Sequence, residues 1–566
     1  MRRLLRAARG EEPAEWRLTG AQVFDTFSGE FKETDLYLHQ GRILGFEARE
    51  ALQTIDLSGR YLLPGFIDAH LHLESSYLVP QELARVLLPR GTTTVVCDPH
   101  EIANVLGLEG VYYLLREAER TPLSVFFTAP SCVPASGLET PAQVLDVDQV
   151  AELLRDPKVL GLAEVMNFPG VIRGEPEVLA KIQAAQILNK KIDGHAPGIS
   201  GLSLETYRLL GPASDHECLT LEEAQEKLSR GFTIFIRRGT VANNLPALLP
   251  LVRAERFVSF CFCSDDLSPS EIRIHGHMDR ILREAVASGL DAITAIRLAT
   301  FSPALFFGLG DRGALFPGAR ADLVTVKDLK EFQVQEVFSR GKLVACQGKS
   351  LFTAGSPTPA PAHPVRLPAR LDLRLPIRGS KIRVIGLVPH QIVTEELIIR
   401  PSVRNGEAVA DPSRDLAKIV CVERHRGTGN YTVGFVRGFG LKTGALASTV
   451  AHDSHHLLLV GIEETDLLLA AERVRTLGGG QVVVKEGKVL AELPLPIAGL
   501  LSPLPYEEVV ERLLRVREAA KELGCTLPDP FMSLSFLALP VIPKLKITDL
   551  GLVDVEKFTF VDLFVP

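Results

Sequence analysis

Two histidines separated by one residue are the sharpest chemical signal in the chain. His70 and His72 stand in the run PGFIDAHLHLESS at residues 64–76. If the apolar part of this run is a strand, both imidazoles project to the same side, because side chains alternate along a strand. Two imidazoles at that spacing can bind one metal ion, although an HxH pair alone is only a weak indication of a metal site.

Further imidazoles and carboxylates occupy comparable positions later in the chain, each at or just after the end of a short apolar run. They are Asp98, His100, Glu101, Glu164, His195, His216, Asp265 and Asp266. A single buried histidine is more often a hydrogen-bonded core residue than a ligand. Many ionisable groups that share one cavity, however, repel one another and are costly to desolvate. One or two divalent cations would supply the missing positive charge.

The elements that must position these residues alternate between strand-like and helix-like patterns, which is typical of βα units and a parallel sheet. Predicted strands lie at 65–74, 92–101, 124–130, 159–167, 191–198, 213–219, 233–240 and 257–266. Predicted helices between them include 104–120, 175–190, 220–230 and 271–289. Eight such units in about 250 residues predict an α/β fold, a (β/α)8 barrel of the TIM type, whose strand ends converge on one mouth.

The rest of the chain predicts two further domains. Short β-like pieces occur on both sides of the barrel, and a Pro-, Ala- and Ser-rich segment follows the second set. The predicted division is a small β domain at 1–62 and 310–352, the barrel at 63–309, a linker at 353–372 and a C-terminal α+β domain at 373–566. The clearest helix of the C-terminal domain is predicted at 505–523.

Composition excludes several classes of protein. The chain is 46% hydrophobic and 23% charged, with a net charge of −7, which is ordinary for a globular enzyme and predicts neither a nucleic-acid-binding nor a membrane surface. No apolar run is long enough to span a bilayer. No CxxC pair occurs, which disfavours a thiolate zinc site and a disulfide framework. We expect a cytoplasmic location and a homo-oligomer.

The strand-end residues resemble the pattern of the amidohydrolase superfamily. That superfamily places HxH after strand 1, a bridging carboxylate or carboxylated lysine after strand 4, single histidines after strands 5 and 6, and an aspartate after strand 8. The matching residues are His70, His72, Glu164, His195, His216 and Asp265. Strand 4 carries Glu164 and no lysine, which departs from the commonest two-metal subtype and matches the adenine deaminase branch.

Finer motifs resemble the adenine deaminase family over nearly the whole chain. They include GTTTVVCDPHEIANVLG at 91–107, GLAEVMNFPGV at 161–171, AHDSHH at 451–456 and FMSLSFLALPVIP at 531–543. Two places diverge near the expected pocket mouth. After strand 7 the family usually reads Arg-Glu-Gly, where this chain has Arg237-Arg238-Gly239, and LSP follows SDD where an Arg-His pair is common.

The resemblance implies hydrolytic deamination of adenine to hypoxanthine and ammonia, a reaction of purine salvage, with preference for the free base. It implies a binuclear centre of Mn²⁺ or Fe²⁺, with Zn²⁺ also compatible with the ligand types. A water held by such ions has a pKa lowered to about 7 and provides a hydroxide for attack at C6. His70, His72 and Asp265 would hold one ion, and His195 and His216 the other. Glu164 would bridge them.

The motifs do not decide which residue carries out each proton transfer. By resemblance, Asp265 takes the proton of the nucleophile, and either Glu217 or Glu101 shares the transfer to the leaving amine. Asp98, His100 and Glu101 either form a helix N-terminus or a second group of ligands at the mouth. The segment Glu74-Ser75-Ser76 is expected to orient His70 or His72 through hydrogen bonds.

The histidine-rich run at 452–456 has two interpretations. His452, Asp453, His455 and His456 form either a hydrated surface turn or a turn that reaches the barrel mouth, covers the pocket and places ligands or proton-transfer groups there.

Two other functions remain as alternatives. One is an amidohydrolase that acts on another cyclic amine or amide, and the other is a catalytically silent barrel, which would be expected to lack ligands. A cytidine-type zinc deaminase is excluded, because His72-Leu73-Glu74 has no accompanying PCxxC motif.

Overall fold

The centre of the molecule is a set of parallel strands. The computed structural model describes residues 2–240, 242–388 and 391–566. Each of the eight predicted barrel runs contains a strand, shorter than the run because the polar residues at its carboxyl end leave the sheet. The strands are Phe66–Leu71, Thr92–Cys97, Ser124–Ala129, Val159–Val165, Lys191–Gly194, Ser214–Asp215, Thr233–Arg237 and Phe260–Cys263.

These strands form two parallel sheets that continue into each other. The first five strands form one sheet and the last three form the other. At one junction Leu71 pairs with Asp265 in a parallel bridge. At the other junction the Ala213 N–H donates to the Ile192 carbonyl at 2.9 Å. The arrangement is of the TIM-barrel type, in which the carboxyl ends of all strands open on one face.

Helices follow the strands. They are Pro80–Leu87, His100–Leu106, Leu108–Glu119, Val147–Leu154, Phe168–Arg173, Pro176–Ile187, Gly201–Leu209, Leu221–Ser229, Leu245–Leu248, Pro269–His275, Met278–Ala287, Ala292–Leu298 and Phe301–Phe306. The helix predicted at 104–120 is present as Leu108–Glu119, although it begins later than predicted, and the prediction of a single helix at 271–289 is wrong. In both segments a glycine separates two helices. Gly107 has φ of 61° and Gly276 has φ of 101°, left-handed conformations that end a right-handed helix and that glycine adopts readily.

Segments before and after the barrel share one sheet. Tyr61–Pro64 pairs antiparallel with Leu323–Val326. The other strands of this sheet are Gln22–Asp25, Glu30–Glu33, Val334–Ser339, Lys342–Cys346 and Lys349–Ser350. A second sheet contains Ala14–Thr19, Leu36–His39, Arg42–Gly45 and Ala51–Asp56, and a short helix, Arg2–Ala8, precedes it. Leu38 of the second sheet and Leu62 and Phe338 of the first are buried in one core.

The predicted linker is a docked segment without regular structure. Residues 353–372, all of which the structure describes, contain neither helix nor strand. Thr358 Oγ1 donates to Glu117 Oε1 on a barrel helix at 2.6 Å. Further along, His363 Nε2 lies 2.8 Å from His425 Nδ1 in the C-terminal domain. The segment therefore contacts both parts of the chain that it joins.

The C-terminal part is built on one large, mainly antiparallel sheet. Its strands are Lys381–Leu387, Thr394–Ile399, Leu416–Val422, Tyr431–Arg437, Ala445–Ser448, Leu457–Gly461, Gly480–Lys485, Lys488–Pro494 and Phe564–Val565. Smaller sheets contain Ser402–Arg404 with Glu407–Val409, and Leu545–Thr548 with Gly551–Asp554 and Thr559–Val561. The helices are Glu464–Leu477, Tyr506–Glu522 and Pro530–Ser535, and the second of them confirms the prediction at 505–523. Among the described residues, no helix has the length and apolar character needed to cross a membrane.

Candidate active site

The predicted site residues meet on the face where the strand ends open. Parallel strands bring their carboxyl ends to one face, so residues far apart in sequence become neighbours. In chain order these residues are His70, His72, Glu164, His195, His216 and Asp265. All are buried except His195, whose side chain is 14% exposed.

One group of possible ligand atoms comes from His70, His72 and Asp265. The Nε2 atoms of the two histidines are 3.3 Å apart, and Asp265 Oδ1 lies 3.6 Å from the first and 3.1 Å from the second. The opposite ring nitrogens are engaged elsewhere: His70 Nδ1 faces Asp193 Oδ2 at 3.0 Å, and His72 Nδ1 faces the Asp98 carbonyl at 3.3 Å. Asp193 Oδ2 and the Asp98 carbonyl accept hydrogen bonds from the two Nδ1 atoms, which directs both Nε2 atoms toward Asp265.

A second group is centred on the Glu164 carboxylate. Glu164 Oε2 lies 2.6 Å from His195 Nδ1 and 3.0 Å from His216 Nε2. The other oxygen, Oε1, lies 3.6 Å from His72 Nε2. One carboxylate therefore faces both groups of histidines, which is the position that a bridging ligand must occupy.

The Asp98-Pro99-His100-Glu101 segment starts a helix, as one of its two interpretations predicts, and it also lies beside the ionic cluster. A helix begins at His100, and Asp98 Oδ1 accepts a hydrogen bond from the His100 N–H at 3.1 Å. His100 Nδ1 also lies 3.1 Å from Asp98 Oδ2 and 3.6 Å from Glu164 Oε1. The segment starts a helix and at the same time brings the His100 imidazole to the cluster around Glu164.

Burial and mutual contact shift the pKa values of the cluster in opposite directions. Burial by itself would lower the pKa values of His72 and His195, but neighbouring carboxylates raise them to about 10 and about 9. Burial by itself would raise the pKa of Glu164, but the His195 and His216 imidazoles hold it well below its usual range. Without a cation, protons on the histidines would have to balance the ionised carboxylates.

The donor set fits divalent metal ions. In His70–His72–Asp265 and in His70–Glu164–His216, one ligand atom from each residue lies within 4.8 Å of the others. A divalent ion would supply the positive charge that otherwise requires protons. Imidazole and carboxylate ligands without a thiolate suit a first-row divalent ion.

Arg237, at the end of the seventh strand, has a place in the site that motif spacing did not assign. Its guanidinium is buried, with Nη1 2.6 Å from Asp265 Oδ2 and Nη2 donating to Glu217 Oε2 at 3.1 Å. Burial raises the pKa of Asp265, but Arg237 and the histidines outweigh burial and hold it well below its usual range. The sequence feature that could have identified Arg237 as a site residue is its position at the end of a strand, which it shares with the histidines. Arg238, where the sequence diverges from the family, contacts a different residue: its Nε donates to Glu284 Oε2 at 2.7 Å.

The expectation that segment 74–76 orients His70 or His72 through hydrogen bonds is wrong. Glu74 Oε1 accepts a hydrogen bond from the Ile102 N–H at 3.0 Å, and Ser75 Oγ donates to Asp266. The chain enters the 3-10 helix Leu73–Ser76 after the strand, and the side chains of Glu74 and Ser75 find other partners there. The rings are held through their Nδ1 atoms by the two contacts described above.

The C-terminal domain closes the pocket over the ionic cluster. Its apolar side chains line the same cavity as the histidines and carboxylates, and they are Ile392, Phe536, Leu539 and Ile542. Met166 of the barrel joins them. One side of the pocket is therefore charged and the other is apolar, an arrangement that suits a flat ring with polar edges. We call the four apolar residues of the C-terminal domain the roof.

A turn of the C-terminal domain also reaches the pocket. His452 and Asp453 line the cavity, and the His452 ring stacks on Phe536 with ring centroids 4.6 Å apart. The Glu101 carboxylate of the barrel contacts both His452 and His455. These residues are buried, so the interpretation of this run as a hydrated surface turn is wrong.

Comparison with known families agrees with this geometry. A model of the amidohydrolase family matches residues 61–344, which include all eight barrel strands and the clustered histidines and carboxylates at their ends. The fold and the cluster of histidines and carboxylates at its mouth thus define an amidohydrolase.

The comparison is more specific over the whole chain. A model of the adenine deaminase C-terminal domain matches residues 391–559. Proteins named adenine deaminase from Desulfatibacillum aliphaticivorans and Methanothrix thermoacetophila are 48% and 47% identical, each over 99% of this chain and 99% of the relative. One from Kosmotoga olearia is 45% identical over 99% of this chain and 98% of the relative. The chain belongs to the adenine deaminase family.

Proposed function

We propose that this protein hydrolyses adenine to hypoxanthine and ammonia. The observation that carries the proposal is the Glu164 carboxylate, shared by two groups of histidines beneath the apolar roof. Its relatives at 45–48% identity over the whole chain are named adenine deaminase. A charged wall opposite an apolar wall fits a planar purine whose reacting amino group must point toward the charged side.

The amidohydrolase family implies a divalent metal, and we assign the ligands from the two groups above. His70, His72 and Asp265 would hold one ion, and His195 and His216 the other. Glu164 would be shared between them. We propose Mn²⁺ or Fe²⁺, with Zn²⁺ also compatible with these nitrogen and oxygen ligands. When bound, such ions make water a usable nucleophile near neutral pH and neutralise the carboxylates.

Asp265 is well placed to move protons during the reaction. Its Oδ1 faces the histidines, whereas its Oδ2 is held by Arg237. We assign to Asp265 the acceptance of a proton from water as the water oxygen bonds to C6 of adenine. The C6–N6 bond then breaks, and the amino group needs a proton to leave as ammonia.

We assign that second transfer to Glu217. Arg237 holds Glu217 on the same side of the pocket as Asp265, and Glu217 Oε1 lies 3.6 Å from His216 Nε2. Burial raises the pKa of Glu217, but Arg237 and the two neighbouring imidazoles lower it overall. The proton that Asp265 takes from water passes to Glu217 and from there to the amino nitrogen, so that it leaves with ammonia and both carboxylates end the reaction ionised.

We also propose a division of the chain into domains. We infer one closed (β/α)8 barrel at residues 63–309, a small β domain at 1–62 and 310–352, a linker at 353–372 and a C-terminal domain at 373–566. The Leu71–Asp265 bridge and the sheet shared by Tyr61–Pro64 and Leu323–Val326 support this division. A homo-oligomeric state and a cytoplasmic location remain predictions.

The proposed function is tested by the release of ammonia. Purified protein loaded with Mn²⁺ under reducing conditions is assayed with adenine, adenosine, guanine and cytosine at equal concentrations. We expect adenine to have by far the highest kcat/KM. Turnover of another cyclic amine in place of adenine would favour the alternative amidohydrolase, and turnover of none would favour the silent barrel.

A further inference from the structure

The closest contact between the barrel and the C-terminal turn lies at one carboxylate. Glu101, on the first helical turn after the second barrel strand, contacts His452 Nδ1 through Oε1 and His455 Nε2 through Oε2. All three residues are at most 3% exposed. By spacing alone these three residues could hold a metal ion. The hydrogen bonds of His455 decide against that interpretation.

His455 must carry its proton on Nε2. The Ala451 N–H donates to His455 Nδ1 at 3.1 Å, so Nδ1 is an acceptor and has no proton. A neutral imidazole then carries its single proton on Nε2, the atom that faces Glu101. A protonated nitrogen has no lone pair for a metal ion, and it donates to the carboxylate. Glu101 therefore acts as an acceptor that fastens the turn to the barrel.

The same carboxylate determines how His452 is presented. Glu101 Oε1 accepts the His452 Nδ1 proton, and the imidazole lies nearly parallel to the Phe536 ring at an angle of 17°. His452 Nε2 is buried and has no hydrogen-bond partner among the residues that the structure describes. A buried polar atom without a partner is costly, and the ring lines the pocket. Nε2 is thus the nitrogen left available for a ligand.

We propose that His452 Nε2 forms a hydrogen bond with a ring nitrogen of the purine, so that the C-terminal domain completes recognition of the substrate. This inference rests on the proposed function, and it names a residue that reads the substrate from the side opposite the metal ligands. Glu101 is then a positioning residue that fixes the orientation of His452.

The first test removes the contact of His452 Nε2 and keeps the contact of Nδ1. In His452→Asn the amide nitrogen can replace Nδ1 and keep the contact with Glu101, but no atom reaches the position of Nε2. For the Mn²⁺-loaded protein, we expect the dissociation constant for adenine to rise and kcat/KM to fall by about 10- to 100-fold, the usual effect of losing one buried hydrogen bond. Metal content and Tm should stay unchanged. His452→Gln, whose amide reaches toward Nε2, should recover part of the loss.

A series of deazaadenines identifies the contacted atom. Each of 1-, 3-, 7- and 9-deazaadenine replaces one ring nitrogen by a C–H group. The analogue that lacks the contacted nitrogen should bind equally well to the wild type and to His452→Asn. Each of the other analogues should bind more weakly to His452→Asn than to the wild type. The control is His275→Asn, the same substitution at an exposed histidine at the end of the barrel helix Pro269–His275, away from the residues that line the pocket. It should bind adenine as the wild type does.

The outcomes distinguish the two proposals. Equal dissociation constants for adenine in the wild type and His452→Asn would overturn the role of His452, and so would a loss in the variant that is the same for every analogue. Failure of the proposed function would appear differently, as adenine that binds to the wild type without release of ammonia.

Discussion

The charged side and the apolar side of the pocket take their residues from different kinds of position in the chain. The charged side takes its residues from strand ends of the barrel, where the fold brings all the polar positions to one mouth. The roof takes Ile392 from a loop and Phe536, Leu539 and Ile542 from the segment after a short helix near the end of the chain. The charged groups follow the periodicity of the fold, whereas the apolar roof is assembled from segments that share no pattern.

Removal of the metal should have the largest effect, because it disables the charged side entirely. We expect chelated, metal-free protein to release no ammonia from adenine, and re-addition of Mn²⁺ or Fe²⁺ to restore the rate. Metal content and activity are measured on the same samples. Full turnover by rigorously metal-free protein would contradict the proposed mechanism.

Asp265→Asn should be the next most damaging change. Loss of a proton-transfer group typically lowers the rate by about 10²- to 10⁴-fold, and we expect kcat to fall within this range. Glu164→Gln should also lower kcat by orders of magnitude through loss of the shared carboxylate. Metal analysis distinguishes loss of an ion from loss of the base. A near-normal kcat in Asp265→Asn with normal metal content would move the base to Asp266 or Glu217.

Phe536→Ala tests the roof and should have a smaller effect of a different kind. Stacking of a base on an aromatic ring contributes about 1–3 kcal/mol, so we expect KM for adenine to rise about tenfold with a smaller change in kcat. The discrimination against adenosine should also weaken, since an opened roof leaves room for the ribose. Phe560→Ala, at a half-exposed site in the same domain, is the control and should leave KM unchanged. Equal KM values for both variants would remove the roof from substrate binding.

Lys546→Met should change stability rather than activity. Lys546 is fully buried against the backbone of the roof and does not line the pocket, and its Nζ donates to the Ile392 and Phe536 carbonyls at 2.9 Å each. Burial lowers its pKa to about 7. Above this pH the unfolded chain binds the proton and the folded protein does not, so the free energy of unfolding of the wild type rises with pH until the ordinary lysine pKa of about 10.4 is reached.

The methionine variant lacks this dependence. We expect its Tm to exceed that of the wild type most at and below pH 7, and the difference to shrink as the pH rises toward 10. Thermal unfolding of both proteins across this range measures the effect. A difference that does not vary with pH would show that Lys546 stays charged in the folded protein.

The barrel strands could be predicted because each apolar run is ended by polar residues. The helix boundaries could not be predicted in the same way. The breaks at Gly107 and Gly276 depend on backbone conformations that the helical pattern of the flanking residues does not reveal. The clustered histidines and carboxylates could be predicted from family spacing, and their meeting at one mouth follows from parallel topology. The role of Arg237 was missed, because its partners Asp265 and Glu217 lie on other strands.

The sequence by itself determined the types of the reactive residues and the strand ends on which they stand, because both are local properties of residue type and spacing. Only the tertiary structure decided which atoms face one another. Asp193 and the Asp98 carbonyl, not segment 74–76, hold the His70 and His72 rings, since the chain turns into a 3-10 helix after the strand. In the same way, docking of the C-terminal domain set Glu101 against His452, a contact between residues 351 positions apart that no local pattern specifies.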